Sequence, residues 1–331
     1  MNESSSADGF VGLNRTTVVR VVSWTTLAGA VAIGLLDREA TRTWDTIPFL
    51  ISLFLFGMPH GAMDWVVDRR LRRETGLFPG LRGFGGYLVW MGIASLLLAF
   101  APVVTVAGFF IRTVIHWGLG DFDATSPSFG GGLDRMAAIT SRGLLILGTA
   151  FAFDPQASWG PFGSLTGAVA SEGTLSTVVQ SLGIAGLSLG VALAIWWIWR
   201  RWESGDRRGA MLDLVESGLI VAAIALTDPL FGIGVYFLGT HSFRHSIRLA
   251  DTEEVMPTGS REQSSLRRLC TMHLLSLPLL LPTFLLILAW CRFQFGSLDA
   301  ESLTVTMLGF FLITTLPHHL LGLRLPSIRS V

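Results

Sequence analysis

Residues 269–291 read LCTMHLLSLPLLLPTFLLILAWC, an uncharged run as long as a helix needs to cross a bilayer core, about 20 residues at about 1.5 Å rise each. Inside lipid only the chain itself can satisfy backbone N–H and C=O groups, so such a run reads as a transmembrane helix. Nine other segments approach the same length and apolarity, near 16–36, 46–67, 84–101, 102–120, 134–153, 178–199, 209–228, 229–250 and 303–323. The expected fold is therefore all-α, a polytopic transmembrane bundle of about ten helices. Ala101-Pro102 and Asp228-Pro229 read as tight corners between helices, because proline cannot donate to the preceding turn. The stretch Gly160 to Ala170 is too short to span and reads as a re-entrant segment or a surface loop. Residues 1–14 are Ser-rich, carry no basic side chain and lack the pattern of a signal peptide. They are expected to be a disordered tail ahead of a single transmembrane catalytic domain, 15–331.

Composition agrees with a membrane chain. Of 331 residues half are apolar and only 15% are charged, where a soluble chain carries about 25%. The formal charge is zero, yet all 24 basic side chains are arginine. Without lysine there can be no retinal Schiff base, no PLP chemistry and no P-loop. A neutral balance argues against a nucleic-acid partner. Cys270 and Cys291 stand about 31 Å apart along one helix, too far for a disulfide. Alternating sides along ten spans puts eighteen arginines, among them Arg69, Arg70, Arg72, Arg73, Arg200, Arg201, Arg207 and Arg208, on one face. Arg38, Arg42 and Arg292 fall on the other, and Arg112, Arg142 and Arg244 lie within spans. Since cytoplasmic loops collect basic residues, the expected topology is N-in and C-in, in a cell (plasma) membrane.

On that topology the seven histidines, His60, His116, His241, His245, His273, His318 and His319, all fall in the cytoplasmic half of the bilayer. Ionisable groups at that depth are costly and find partners in the bundle interior. His241 and His245, four residues apart on one helix face, are spaced to bind one ion. His60 sits in Gly57-Met58-Pro59-His60-Gly61-Ala62-Met63-Asp64, where small residues allow close backbone approach and Pro59 frees a carbonyl. Asp64, one turn below His60, is placed to orient a ligand imidazole. His116 begins His116-Trp117-Gly118-Leu119-Gly120-Asp121, and Asp121 reads either as a solvated helix end or as a second orienting carboxylate. His318 and His319 point about 100° apart, so one of them at most faces a site, and His273 reads as interfacial. Arg112 and Arg142 are expected to pair with Asp213 or Glu216. A lone intramembrane histidine is most simply a helix–helix hydrogen bond, but His60, His116, His241 and His245, from three helices at one depth, read as a metal site.

Imidazoles suit iron, zinc, copper or nickel, and with no HExxH motif a zincin protease is unsupported. Four neutral imidazoles around an octahedral Fe(II) leave about two positions free, and a site at membrane depth takes a substrate that partitions there. An oxygenase of a long apolar molecule is the reading these residues support, without naming the substrate.

The run 57–64, the later His-Trp-Gly-x-Gly-Asp at 116–121 and the His241-x-x-x-His245 pair together resemble the Brp/Blh family of membrane proteins over most of the chain. The resemblance implies Fe(2+) held by His60, His116, His241 and His245. It further implies central cleavage of β-carotene by O2 into two molecules of all-trans-retinal, with retinal delivered to a microbial rhodopsin. The segments near 154–177 and 251–265 find no clear counterpart. Two other classes compete. A di-iron membrane hydroxylase or desaturase needs more His boxes than one HxxxH, and a non-catalytic carotenoid- or retinal-binding accessory protein, or a transporter with a histidine relay, would leave carotene uncleaved.

Overall fold

The run 269–291 lies within a helix of 31 residues, Ser265–Phe295, and the rest of the chain is built in the same way. The computed structural model describes residues 15–73, 77–125, 131–167, 173–252, 255–257 and 263–324; the expected tail at 1–14 lies outside them. In chain order the helices are α1 (Arg15–Leu36), α2 (Arg38–Thr43), α3 (Ile47–Leu71), α4 (Leu77–Phe100), α5 (Pro102–Thr125), α6 (Gly132–Phe153), α7 (Pro155–Thr166), α8 (Thr174–Glu203), α9 (Arg207–Leu226), α10 (229–251), α11 (Ser265–Phe295) and α12 (Ala300–Gly322). No strand occurs among the described residues, so the chain is an all-α polytopic bundle.

Each segment expected to span is helical, but they are not equivalent. Eight of the described helices are long and apolar enough to cross a membrane: α1, α3, α5, α6, α8, α9, α11 and α12. The apolar part of α4, Phe84–Phe100, is shorter, and α10 carries Arg244, Arg248 and Asp251. The segment read as re-entrant or a loop overlaps the helix α7, begun by Pro155 and closed by Gly167 in the left-handed region at φ 68°. Both proline corners hold. Ala101 interrupts the helical path between α4 and α5, and Asp228 caps α10 by accepting from the Leu230 N–H at 2.9 Å. Aspartates begin other helices in the same way: Asp154 accepts from Ala157 N–H, Asp206 from Gly209 N–H and Asp299 from Ser302 N–H. Each satisfies a backbone donor that the first helical turn leaves free.

Helices α5 and α6 cross at glycines. A Cβ on Gly118 would run into the backbone carbonyl of Ile139, and one on Gly143 into the backbone of Val114. Small residues let helix backbones approach closely where lipid supplies no hydrophobic drive, and Gly118 lies half a turn beyond His116.

Deeper in the bundle, six helices share a network of ions. Asp213 of α9 accepts from Arg20 of α1 at 3.0 Å, from Arg142 of α6 at 3.0 Å and from Arg201 of α8 at 2.5 Å. Glu216, one turn on, accepts from Arg142, from Arg244 of α10 at 2.9 Å and from the indole of Trp24 at 3.2 Å. Asp121 of α5 accepts from the Tyr236 hydroxyl at 3.0 Å and pairs with Arg244 at 3.4 Å. Arg244 and Glu216 have no exposed side-chain surface. The expected pairing of Arg142 is therefore present, whereas buried Nε of Arg112 has no hydrogen-bond partner. Asp121 is fully buried, which overturns its reading as a solvated helix end.

Removing one partner of a buried ion network leaves the others desolvated and uncompensated, at a cost of about 3–5 kcal/mol. Glu216→Ala should therefore lower the Tm of the detergent-solubilised protein sharply, and an unchanged melting curve would show that the network does not hold the bundle. Gly118→Ala should cost about 1–3 kcal/mol by overpacking. Gly29→Ala, where no atom lies within 4 Å of the added carbon, should be neutral or stabilising. Equal Tm values for these two variants would contradict the close α5–α6 crossing.

Candidate metal centre

Helix α3 does not run straight to His60. Its turn Leu53–Gly57 widens to a π-helix, followed by the helical stretch Met58–Ala62 with Pro59 at its start. Such single π turns recur at functional sites. Here the turn absorbs the missing N–H of Pro59 and points the His60 ring inward, with His60 Nδ1–H donating to the Phe56 carbonyl at 2.8 Å. That tautomer leaves Nε2 of His60 with its lone pair free. Helix α10 repeats the device. Its turn Phe237–His241 is also π-helical, ending on His241, and His245 follows one turn later with its ring parallel to that of His241 (3° between planes, centroids 6.3 Å apart).

The remaining rings come from α5 and α12. His116 stands 5.0 Å from His241 between ring centroids and 5.1 Å from His318. His60 lies 4.8 Å from His245 and 5.4 Å from His318. The tightest group is His60, His245 and His318, whose ring nitrogens come within 4.8 Å of one another; His116 and His241 flank it. All four histidines singled out from the sequence thus meet in one place, and His318 joins them.

Asp64 does not serve His60. Both of its oxygens face Nδ1 of His318, at 2.8 and 2.9 Å, and one accepts from the Tyr87 hydroxyl at 2.8 Å. Asp121 is turned toward the arginine network and Tyr236 instead. Of the other two histidines, His319 places Nδ1 3.3 Å from Nδ1 of His116, so one of these nitrogens donates and the other accepts. His273 is not merely interfacial. Its Nε2 lies 2.6 Å from the carbonyl of Leu55, inside the π turn of α3, and so ties α11 to the segment that carries His60.

The arrangement fits a metal by its own chemistry. Nδ1 of His241, Nδ1 of His245 and Nε2 of His318 are buried with no hydrogen-bond partner, a costly condition unless something else binds them. Several imidazoles converging without an intervening carboxylate are the donor set of a transition metal. The carboxylate that is present faces one ring of the cluster from behind, where a carboxylate would orient an imidazole for a metal.

Beside the cluster opens a cavity of about 320 Å³, walled by Phe109, Phe110, Phe162, Phe237 and Phe311 and by Ser158 and Pro161 of α7. His60, His116, His241 and His318 line it; apart from these rings its lining is overwhelmingly apolar. Helix α7 is thereby a wall of this cavity. Of His318 and His319, of which helix periodicity lets one at most face the site, it is His318 that does, and Pro317-His318 repeats the Pro59-His60 dipeptide. The Asp64–His318 contact, by contrast, joins residues 254 positions apart and has no trace in local spacing.

Comparison with known proteins bears on what such a centre does. Residues 51–325 match the family model described as beta-carotene 15,15'-dioxygenase, a span containing every histidine of the cluster. The chain is 29% identical over 250 residues, 71% of each chain, to a protein of Halobacterium salinarum named as a probable beta-carotene 15,15'-dioxygenase Blh. No solved structure matches it significantly. A match across five-sixths of an all-helical membrane chain is enough to place it: this chain is an enzyme of the beta-carotene 15,15'-dioxygenase family.

Proposed function

We propose that the protein cleaves β-carotene at its central double bond, using O2 and a non-haem Fe(II) ion held by His60, His116, His241 and His245, to give two molecules of all-trans-retinal. The observation that carries this reading is the cluster of buried imidazoles, some with unpartnered nitrogens, in the wall of an apolar cavity. The reaction balances without a reductant: one carbon–carbon double bond and the O–O bond break, and each aldehyde keeps one oxygen atom. Iron held by these residues would supply the activation of dioxygen. The chain's own residues do the rest. Asp64 and the Phe56 carbonyl hold His318 and His60 in defined tautomers, and the phenylalanine walls exclude water. Fixing one double bond of an extended polyene beside the metal is a proximity effect.

The same reading places residues 15–331 in one transmembrane catalytic domain of ten helices, N-in and C-in, in the plasma membrane, with the metal in the cytoplasmic half of the bilayer. The arginine distribution supports that orientation. Substrate and product both partition into lipid, so retinal released to the bilayer can reach a rhodopsin in the same membrane. A di-iron hydroxylase is disfavoured because the imidazoles gather around one point and Asp64, the carboxylate beside them, faces a ring nitrogen. A carotenoid-binding accessory protein would leave its pigment intact.

Expression in β-carotene-producing cells should bleach the pigment and yield retinal at two per carotene consumed. Unchanged carotene beside folded, iron-loaded protein would rule out catalysis. His60→Ala, His116→Ala, His241→Ala and His245→Ala should each lose bound iron and lower retinal yield by at least about 100-fold, the scale of losing a group the reaction depends on; a variant with full iron and full yield leaves the ligand set. Ser158→Trp, which fills the cavity from α7, should cut β-carotene turnover about tenfold or more while iron content stays intact. Undiminished turnover would place the polyene elsewhere.

A further inference from the structure

The five clustered rings form a pattern, not merely a group. His60, His241, His116 and His318 follow one another in a closed cycle, with centroid separations of 6.2, 5.0, 5.1 and 5.4 Å around it. His245 lies against all four, at 4.8 Å from His60, 6.3 Å from His241, 6.2 Å from His116 and 5.6 Å from His318. In this cycle His60 stands across from His116, and His241 across from His318. Within this set the ring nitrogens of His60, His245 and His318 come within 4.8 Å of one another, and His116 and His241 stand beside them.

His60, His116, His241 and His318 all line the apolar cavity, whereas His245, only 5% exposed, is not among the residues lining it.

His318 is built as a ligand would be. Asp64 accepts from its Nδ1–H, Tyr87 donates to the same carboxylate, and Nε2 is left buried and unpartnered. A carboxylate behind a ring fixes its tautomer and raises its basicity. Among the described residues it is His318, with His60 and His245, that brings its nitrogen into the tightest triad.

We propose that His318 is a fifth imidazole ligand of the metal, positioned by Asp64 and Tyr87. This deepens the reading above and rests on it, adding one imidazole to the four named there. Asp64 is then a positioning residue that acts through His318.

The test uses the full-length protein in detergent, stripped of metal and titrated with Co(II), whose visible bands report both occupancy and coordination number. Wild type should bind one Co(II) with the weak bands of a five- or six-coordinate ion. His318→Gly should weaken Co(II) binding about tenfold to 100-fold, the scale on which orienting and ligating partners act, and change the band intensity. Added imidazole should restore both, which a merely structural role for His318 does not allow. Asp64→Asn should raise the Kd with the band pattern kept. Unchanged Kd and spectrum in His318→Gly, or failure of imidazole to restore them in a variant that still folds by circular dichroism, would overturn the proposal. If His318→Gly does not fold, an unaltered Kd in Asp64→Asn overturns it. If wild type itself binds no metal, it is the metal-centred reading of the function that falls.

Discussion

Glu216 and Asp213 are the acceptors on which the bundle turns. Four arginines, Arg20, Arg142, Arg201 and Arg244, reach these two carboxylates from four different helices. Ions at membrane depth cannot fall back on water, so each helix is held at the register at which its charge is met. Arg244 lies between His241 and His245 on α10, and the pull of Glu216 on Arg244 therefore fixes the height at which both imidazoles enter the site. The same holds on α5, where Asp121 pairs with Arg244 and accepts from Tyr236 while His116, five residues earlier, joins the cluster.

The two π turns are the local counterpart of that constraint. An α-helix that delivers His60 or His241 in regular register would also place a residue of each following turn toward the same spot. Widening one turn shifts the phase of the helix and releases a carbonyl. In α3 that strain has identifiable partners, because Leu55 C=O lies at His273 of α11 and Phe56 C=O accepts from His60 itself. The backbone irregularity, the ring tautomer and the contact to α11 form one unit. Polar residues of the spans that have no part in a metal site are thus used to position those that do.

Much of this was legible before any coordinates. Twenty-three uncharged residues in a row admit one conformation in lipid, and so the all-α bundle follows from backbone hydrogen bonding alone. His241 and His245 share a helix face by periodicity, and the Pro59-His60 segment announces a broken helix. The depth shared by the histidines is likewise a consequence of counting residues from helix ends. Less legible were the lengths of α4 and α10, where apolarity and charge compete within one segment, and the helicity of α7, whose glycines and prolines disguised it as a loop.

By itself, then, the amino-acid order determined the fold class, the exclusion of lysine-dependent chemistry and which side chains were available to bind a metal. What the tertiary structure alone decided was their association: that Asp64 faces His318 and not His60, that Asp121 belongs to the arginine network, and that the imidazole cluster borders the phenylalanine-lined cavity. The physical reason is distance along the chain. A helix relates residues three or four positions apart, and nothing in that short-range geometry specifies which of the twelve described helices will stand beside it, whereas the pairing of buried charges and ring nitrogens across helices does.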